Sequence, residues 1–333
     1  MIKVFIPGKL GLPIWRQFKT KHKYIWGNCE FFFEECNDYD YLVVIDSLSL
    51  EISTNTPISK RLLFLGEPPF VKHYTKSFRS QFGRVFSCQK KLIENGLAIK
   101  SNPILPWMLG CSLRENSHEC NSNKYLCYDD LLNLKNKHTI NKACLITSNK
   151  RFTKGHRNRV DFANYVIKEN IDFIDVYGNG FNSISDKIEV LSQYKYSIII
   201  ENCSYKDYWT EKFADCILAG SYPIYYGATN INDYFNDECF TSINIKKKKQ
   251  SIELIKSIID SNLYEDRQNA LIQAKNDILN KYNMFALISD IIDKLENDNK
   301  RNDITIPTKE VLLPMKYDLF DKIRHHLRWK LNI

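Results

Sequence analysis

The chain alternates between short apolar runs and longer stretches in which apolar residues recur at helical spacing. In the first half, runs rich in β-branched and aromatic side chains occur at residues 3–6, 41–45, 61–65 and 84–88. Strands at this spacing, joined by helix-like segments, predict a parallel α/β sheet.

The same alternation starts again after a polar stretch. Residues 113–142 are rich in Asn, Lys and Ser and show no apolar period, so we interpret them as a linker between two domains. Strand-like runs then begin at Ala143, Asp172 and Tyr194, with a helix predicted over residues 157–169 and further helices over residues 251–295. The pattern predicts a second α/β domain.

Length and composition agree with two globular domains. The chain has 333 residues, 44% hydrophobic and 26% charged, which is typical of an ordered protein. We expect an N-terminal domain at residues 1–140, a C-terminal domain at 141–300 and a tail at 301–333. No apolar run approaches the roughly 20 residues that span a bilayer, and residues 1–15 are interpreted as a core strand and a loop rather than a signal peptide.

The net charge indicates the kind of partner, and the cysteines indicate the redox compartment. The net charge of +8 favours an anionic partner, which can be a nucleic acid, an acidic membrane or a nucleotide diphosphate. Ten scattered cysteines fit a reducing cytosol.

No metal site is expected. The nearest approach to a zinc cluster lacks the short cysteine pairs of such sites; its members are Cys111, His118, Cys120 and Cys127. Asp38 and Asp40 match a D-x-D string, but they precede a predicted first-domain strand, and we assign them to structure.

Residues 194–230 carry the richest pattern. A buried strand delivers Glu201 and Asn202 to its carboxyl end, where open α/β sheets bind ligands. Thr210, Glu211 and Lys212 then begin an apolar helix whose N-terminus attracts anions. A carboxylate there suits ribose hydroxyls, so together these residues suit a nucleoside diphosphate, although Glu211 and Lys212 also fit an ordinary first helical turn.

These residues carry a resemblance to a known family. ENCSYKDYWTEKF followed by AGSYPIYYGATN resembles the donor-binding signature of the family-10 fucosyltransferases. SNKRFTKGHRNRVDF resembles an upstream element that implies a diphosphate contact for Arg157, and the sequence leaves Arg151 and Arg159 open for the same role. RLLFLGEPP implies that Glu67 is the catalytic base, although a polar residue at a strand end is the plainer interpretation.

The resemblance implies a fold and an activity. The fold is GT-B, with two Rossmann-like domains facing across a cleft. The activity is inverting transfer of L-fucose from GDP-β-L-fucose to a glycan hydroxyl, with an α1,3 linkage to a GlcNAc- or Glc-type sugar of a surface polysaccharide or lipopolysaccharide. Catalysis is expected from Glu67, Arg157 and Lys212, and donor binding from Ser148, Asn149, Arg157, Tyr177, Gly178, Glu201, Asn202, Tyr208, Thr210, Glu211 and Lys212.

Several alternatives stay open. The donor can be another GDP-deoxyhexose or another sugar nucleotide, and a non-catalytic nucleotide-binding scaffold would share the same signature. No cofactor is expected to be required, with stimulation by Mn²⁺ or Mg²⁺ left open. A nucleic-acid partner is suggested by charge alone, and no recognition motif supports it.

The C-terminal tail predicts a membrane contact. From Phe320, apolar residues recur at Ile323, Leu327 and Leu331, with basic residues over most of the remaining surface. A basic amphipathic helix of this kind binds anionic membranes, although such stripes also pack against protein cores. We therefore expect a cytoplasmic protein held peripherally on the cytoplasmic face of the inner membrane.

Overall fold

The computed structural model describes residues 1–7, 13–20, 23–34, 36, 38–113, 120–135, 138–298 and 309–317. The chain divides into two compact units: unit 1 comprises residues 1–10, 17–105 and 281–333, and unit 2 comprises residues 11–16 and 106–280. This division differs from the expected domains, because it falls after residue 105 rather than 140 and returns residues 281–300 to the first unit.

Unit 1 contains most of the first half of the chain and its last helix. Its described strands are β1 (Ile2–Phe5), β2 (Ile25–Trp26), β3 (Cys29–Phe32), β4 (Tyr41–Ile45), β5 (Ile52–Thr54), β6 (Arg61–Phe64), β7 (Arg84–Ser87) and β8 (Ile99–Lys100). Its first helices are α1 (Lys76–Arg79) and α2 (Lys90–Glu94).

Unit 2 follows with its own strands and helices. These are β9 (Cys111–Leu113), β10 (Cys120–Tyr125), α3 (Tyr128–Leu132), β11 (Ile140–Ile146), α4 (Lys154–Lys168), β12 (Ile174–Tyr177), α5 (Ile188–Leu191), β13 (Tyr194–Ile200), α6 (Glu211–Leu218), β14 (Tyr222–Tyr226), β15 (Thr241–Ser242), α7 (Lys248–Asp260), α8 (Leu263–Asp266) and α9 (Gln268–Asn280). The chain then returns to unit 1 with α10 (Met284–Asp298) and β16 (Glu310–Leu312).

The sheet of unit 1 is almost entirely parallel. Its described strands lie in the order β2-β3-β1-β4-β6-β7-β8, with β2 antiparallel to β3 and every other neighbouring pair parallel. All five residues of β4 are buried, as expected for a central strand covered on both faces. Leu42, Leu63 and Phe78 belong to the core between sheet and helices. The predicted first α/β domain is therefore present.

Helix α10 belongs to unit 1 because its apolar face covers the start of the chain. The ring of Phe285 stacks on that of Phe18 with centroids 3.9 Å apart. One turn further on, the Ser289 hydroxyl donates to the Trp26 carbonyl at 2.8 Å. These contacts explain why a helix at the end of the second half of the sequence completes the first unit.

Unit 2 has a parallel five-stranded sheet in its described part. The strand order is β12-β11-β13-β14-β15. Tyr222 and Tyr225 on β14 and Tyr196 on β13 are fully buried large side chains, so this sheet is also covered on both faces. The second predicted α/β domain is present, and the two Rossmann-like units agree with the predicted fold class.

The stretch expected to be a linker is an integral part of unit 2. β9 and β10 form an antiparallel pair, and the buried Asp215 Oδ1 accepts hydrogen bonds from the backbone N–H groups of Met108 and Leu109, both at 3.0 Å. The buried Arg16 guanidinium donates to the carbonyls of Trp107 and Leu109, which precede this stretch, and to that of Leu126 within it. The described part of this stretch therefore belongs to the second unit rather than connecting two units.

The described part of the predicted tail is a strand of unit 1. β16 pairs antiparallel with β5, and the buried Arg61 Nη1 lies 2.6 Å from Glu310 Oε2. The expected amphipathic helix from Phe320 lies outside the described residues. Within the described ranges, the structure contains no helix long and apolar enough to cross a membrane.

Candidate active site

The strand order of unit 2 creates a crevice at the carboxyl edge of its sheet. The chain leaves β11 toward β12 on one side and later places β13 on the other side of β11. In parallel α/β sheets, such a change of direction separates the loop after one central strand from the loop after the other. Ligands bind in the crevice between these two loops. Ser148 and Asn149 follow β11, and Glu201 and Asn202 follow β13, so four predicted donor residues border one crevice.

Glu201 is a buried carboxylate that organises the start of α6. Its Oε1 accepts from the Thr210 backbone N–H and its Oε2 from the Thr210 hydroxyl, both at 2.8 Å. The Lys212 Nζ lies 3.4 Å from the same Oε2. Burial raises the pKa of Glu201, and the nearby Lys212 ammonium opposes that rise. Glu201 has no exposed surface, and its oxygens face Thr210 and Lys212.

The first turn of α6 presents an ion pair. Thr210 caps the helix by accepting from the Lys212 backbone N–H at 3.3 Å, as the sequence predicted. The Lys212 Nζ lies 3.2 Å from Glu211 Oε1. Burial tends to raise the pKa of Glu211, but Lys212 and then Lys187 outweigh it and lower that pKa to about 2. Glu211 is therefore a carboxylate at neutral pH, able to accept hydrogen bonds from hydroxyls.

The start of α4 packs against the loop after β13. Thr153 caps α4 by accepting from the His156 backbone N–H at 3.3 Å. A Cβ at Gly155 would lie 1.6 Å from the Asn202 carbonyl oxygen, so this approach of helix to loop requires glycine. The N-termini of α4 and α6 consequently border the same crevice.

One turn further along α4, Arg159 joins the two loops of the crevice. Its Nη1 donates to Asn202 Oδ1 at 2.8 Å and its Nη2 to Ser148 Oγ at 3.3 Å. Arg157 is partly exposed, and its Nη1 donates to the Arg151 carbonyl at 3.5 Å. The Arg151 guanidinium itself is paired with Asp161 at 2.8 Å. The three arginines that sequence could not separate therefore have different surroundings.

His156 shows how positive this region is. Burial lowers its pKa to about 4, and the charges of Arg159, Lys212, Lys150 and Arg157 add to that effect. Its Nδ1 lies 2.7 Å from the Thr153 hydroxyl. A neutral histidine among several cations indicates a potential that favours anions. Sequence reasoning did not select His156, because the helix was predicted to begin at residue 157 and the observed α4 begins at Lys154.

The other residues predicted to bind the donor make contacts within the protein. Gly178 has φ +113°, and a Cβ there would lie 1.9 Å from the Thr147 carbonyl, so glycine allows the loop after β12 to approach that after β11. The hydroxyls of Tyr177 and Tyr194 lie 2.8 Å apart. Tyr208 has no exposed surface. These positions shape the edge of the crevice, and direct ligand contact by Tyr177 and Tyr208 stays a prediction.

Glu67, the predicted base, lies at the carboxyl edge of unit 1. Its backbone N–H donates to the Tyr74 hydroxyl at 3.1 Å, and Gln89 Nε2 donates to its carbonyl at 2.9 Å. The Tyr74 hydroxyl also donates to Asp46, whose other carboxylate oxygen is 2.5 Å from Lys72 Nζ. The backbone of Glu67 is therefore fixed beside a second carboxylate.

Asp46 was not selected from the sequence. It follows β4 directly, in the run YLVVIDS, and has a left-handed backbone with φ +67°. A polar residue directly after a continuous apolar strand was the available signal.

Comparison with known proteins gives a family match over the region that contains this crevice. Residues 134–266 match the family model "Glycosyltransferase family 10 (fucosyltransferase) C-term", which covers the crevice of unit 2. The chain is 35% identical over 78 residues to an alpha-(1,3)-fucosyltransferase FucT of Helicobacter pylori, covering 23% of this chain and 16% of that protein. It is 31% identical over 105 residues to alpha-(1,3)-fucosyltransferase B of Drosophila melanogaster, covering 31% of this chain and 24% of that protein.

A solved structure of an alpha-glucosyltransferase, in complex with UDP and a 13-mer DNA, resembles the fold of nearly the whole chain. Its TM-score is 0.52 with 11% sequence identity, over 88% of this chain and 99% of the other. At that identity the likeness concerns the fold alone. Two Rossmann-like units in a glycosyltransferase fold confirm the predicted GT-B class. The match of residues 134–266 to the family-10 model lies in the second of these units.

The matched segments span a quarter or less of these two relatives' own lengths. What the whole chain binds and transfers is therefore a matter for proposal.

Proposed function

We propose that the chain is an inverting glycosyltransferase that transfers L-fucose from GDP-β-L-fucose to a hydroxyl of a glycan. The observation that carries this proposal is the Glu201–Thr210–Lys212 arrangement at the start of α6. A buried carboxylate there holds a cation beside an ionised Glu211, at the position where parallel sheets bind nucleotides. The family match of residues 134–266 supports the same nucleotide-sugar donor.

In this proposal the diphosphate of the donor lies at the N-termini of α4 and α6. Lys212 and Arg157 neutralise the charge that grows on GDP as the glycosidic bond breaks, together with the free N–H groups of the helix ends. Glu211 accepts hydrogen bonds from ribose hydroxyls, and Ser148, Asn149 and Asn202 border the nucleotide. Glu201 positions Thr210 and Lys212 without touching the ligand.

Glu67 is proposed as the base on the acceptor side. A sugar hydroxyl is a weak nucleophile, so a carboxylate must take its proton while the oxygen attacks the anomeric carbon and GDP departs. The new bond forms opposite the leaving group, which converts the β-linked donor into an α-fucoside. The fixed backbone of Glu67 supports the role, because a base acts only from a defined position.

The proposal needs no metal, since cations and helix termini can stabilise the diphosphate. We expect transfer to continue in excess EDTA. Complete loss on chelation with recovery on adding Mn²⁺ would contradict this part and leave donor identity untouched.

The direct test is a screen of the purified chain for transfer from GDP-fucose and other GDP-sugars. Lactose-type and N-acetyllactosamine-type acceptors are supplied, and product is identified by mass spectrometry and its linkage by NMR. The proposal predicts an α1,3-fucosylated product. Transfer of a different sugar would correct the donor, and GDP binding without any transfer would identify a nucleotide-binding scaffold instead.

The acceptor is proposed to be a surface polysaccharide or lipopolysaccharide precursor, reached at the cytoplasmic face of the inner membrane. Residues after Tyr317 would supply the membrane contact through the basic amphipathic sequence from Phe320. A chain truncated after Tyr317 keeps β16, so its loss of membrane binding would not follow from loss of that strand. The full chain should co-sediment with anionic but not neutral vesicles, and equal binding by the truncated chain would remove the tail's role.

A further inference from the structure

Arg159 lies at the crevice of unit 2, and one nitrogen of its guanidinium is buried without a hydrogen-bond acceptor among the described residues. The side chain is 6% exposed, and its Nε lies buried with no hydrogen-bond partner among the described residues. A buried donor without an acceptor costs free energy, so such atoms in a polar crevice point to a missing partner.

The geometry of the guanidinium says which side of it is available. Nη1 is committed to Asn202 Oδ1 at 2.8 Å. The opposite edge, formed by Nε and Nη2, has one long bond to Ser148 Oγ at 3.3 Å among the described residues. Nε and Nη2 form the fork that binds carboxylate and phosphate oxygens in pairs.

The backbone fixes this edge in place. Gly155 lies one helical turn before Arg159 on the same face of α4, and its lack of a Cβ allows the helix to meet the Asn202 carbonyl. Arg159 therefore spans the loops after β11 and β13, which are the two walls of the crevice. The pKa of Arg159 is lowered by burial, an effect that Glu201 and Glu211 oppose, so the guanidinium lies near both carboxylates of the site.

We propose that Arg159 is a ligand of the donor's diphosphate, binding a phosphate oxygen through its Nε and Nη2 in place of the Ser148 hydroxyl. This deepens the proposed function and rests on it. Among the three arginines of the loop and helix, Arg151 is not assigned this role, because its guanidinium is exposed and paired with Asp161 rather than held between the two loops. Arg159 would act together with Arg157, as a preformed part of the site whose orientation is set before the ligand arrives.

The test compares GDP with guanosine, which lacks the diphosphate. Affinities of the full chain for both are measured by competition with a fluorescent GDP analogue, in the wild type and in Arg159→Gln, Arg159→Lys and Arg151→Gln. A lost charge-assisted hydrogen bond to phosphate should weaken GDP binding about tenfold to a hundredfold in Arg159→Gln. Guanosine affinity should stay unchanged, and so should both affinities in the Arg151→Gln control.

Arg159→Lys keeps the charge but loses the fork, so it should weaken GDP binding by a smaller factor. If Arg159→Gln does not fold, the ratio of GDP to guanosine affinity in Arg159→Lys tests the proposal instead. The proposal is overturned if the ratio of the two affinities stays at the wild-type value in the folded variants, or if GDP and guanosine weaken equally, which is the result of a purely structural arginine. A wild-type chain that binds neither ligand would instead refute the proposed function.

Discussion

In each unit a glutamate follows a central strand of the parallel sheet, Glu201 after β13 and Glu67 after β6. The two glutamates differ in burial and in hydrogen bonding. In unit 2, Glu201 has no exposed surface, and its oxygens are occupied by Thr210 and Lys212. In unit 1, the backbone of Glu67 is fixed by Tyr74 and Gln89, and its side chain is partly exposed. A carboxylate with every oxygen engaged serves to position other groups. One with a fixed backbone and an accessible side chain suits proton transfer.

The same contrast extends to the lysines. Lys212 bonds to Glu201, Glu211 and Thr210 at the carboxyl edge of the unit 2 sheet, whereas Lys72 pairs with Asp46. In the proposed function, unit 2 therefore supplies cations for an anion and unit 1 supplies a carboxylate for proton transfer. Matched substitutions in the two units separate these two roles.

The largest effect is expected for Glu67→Gln. The amide keeps the shape but cannot take a proton, so transfer should fall about a hundredfold to ten-thousandfold while GDP affinity stays unchanged. Steady-state transfer and GDP titration measure the two quantities. Asp46→Asn is the matched change on the neighbouring strand and should cost less. Transfer above about a tenth of the wild-type rate in Glu67→Gln would assign the base elsewhere.

Lys212→Ala and Lys72→Ala form a second pair. Removing Lys212 should lower kcat about a hundredfold or more, because a cation that stabilises the leaving diphosphate is lost. Lys72→Ala should leave GDP affinity at the wild-type value, since its partner Asp46 belongs to unit 1. Equal losses of GDP affinity in the two variants would contradict separate roles for the two units.

Glu211 gives unit 2 a characteristic pH dependence. Because its folded pKa of about 2 lies below the unfolded value of 4.5, its contribution to stability is present above pH 4.5 and is lost as the pH falls toward 2. Glu201, with a raised pKa, contributes in the opposite sense: its share is full below pH 4.5 and is lost as the pH rises.

The measurement is urea unfolding of the wild type and Glu211→Gln between pH 2.5 and 6, followed by tryptophan fluorescence. The wild type should be more stable by on the order of 3 kcal/mol at pH 6, with the difference shrinking toward pH 2.5. A difference independent of pH would show that Glu211 does not titrate with this shift.

Gly155→Ala should produce a smaller but specific effect. Its Cβ would overlap the Asn202 carbonyl, so the helix or the loop must move, at a cost of about 1–3 kcal/mol in the free energy of unfolding, and GDP affinity should fall as the crevice distorts. Gly96→Ala is the control, because a Cβ there meets no atom within 4 Å and only the positive φ is strained. A GDP affinity as high in Gly155→Ala as in the control would mean that this close approach does not shape the site.

The sequence predicted the two α/β units and the start of the helix that borders the proposed site. β4 occupies the predicted residues, and α6 begins at Glu211 after a Thr210 cap, because strand runs and helix caps are local patterns. The place of residues 113–142 in unit 2 was not visible, since it depends on contacts distant in sequence, such as that of Arg16 with the Leu126 carbonyl. The separation of Arg151, Arg157 and Arg159 likewise required the packing of α4 on Asn202.

Hydrogen–deuterium exchange of the full chain, with and without saturating GDP, tests the central claim most directly. The account predicts slower exchange in peptides covering residues 148–159 and 201–212, where both helix N-termini meet the crevice, and no change over residues 61–74. Protection confined to unit 1, or no protection at any GDP concentration, would contradict a nucleotide site at the carboxyl edge of the second sheet.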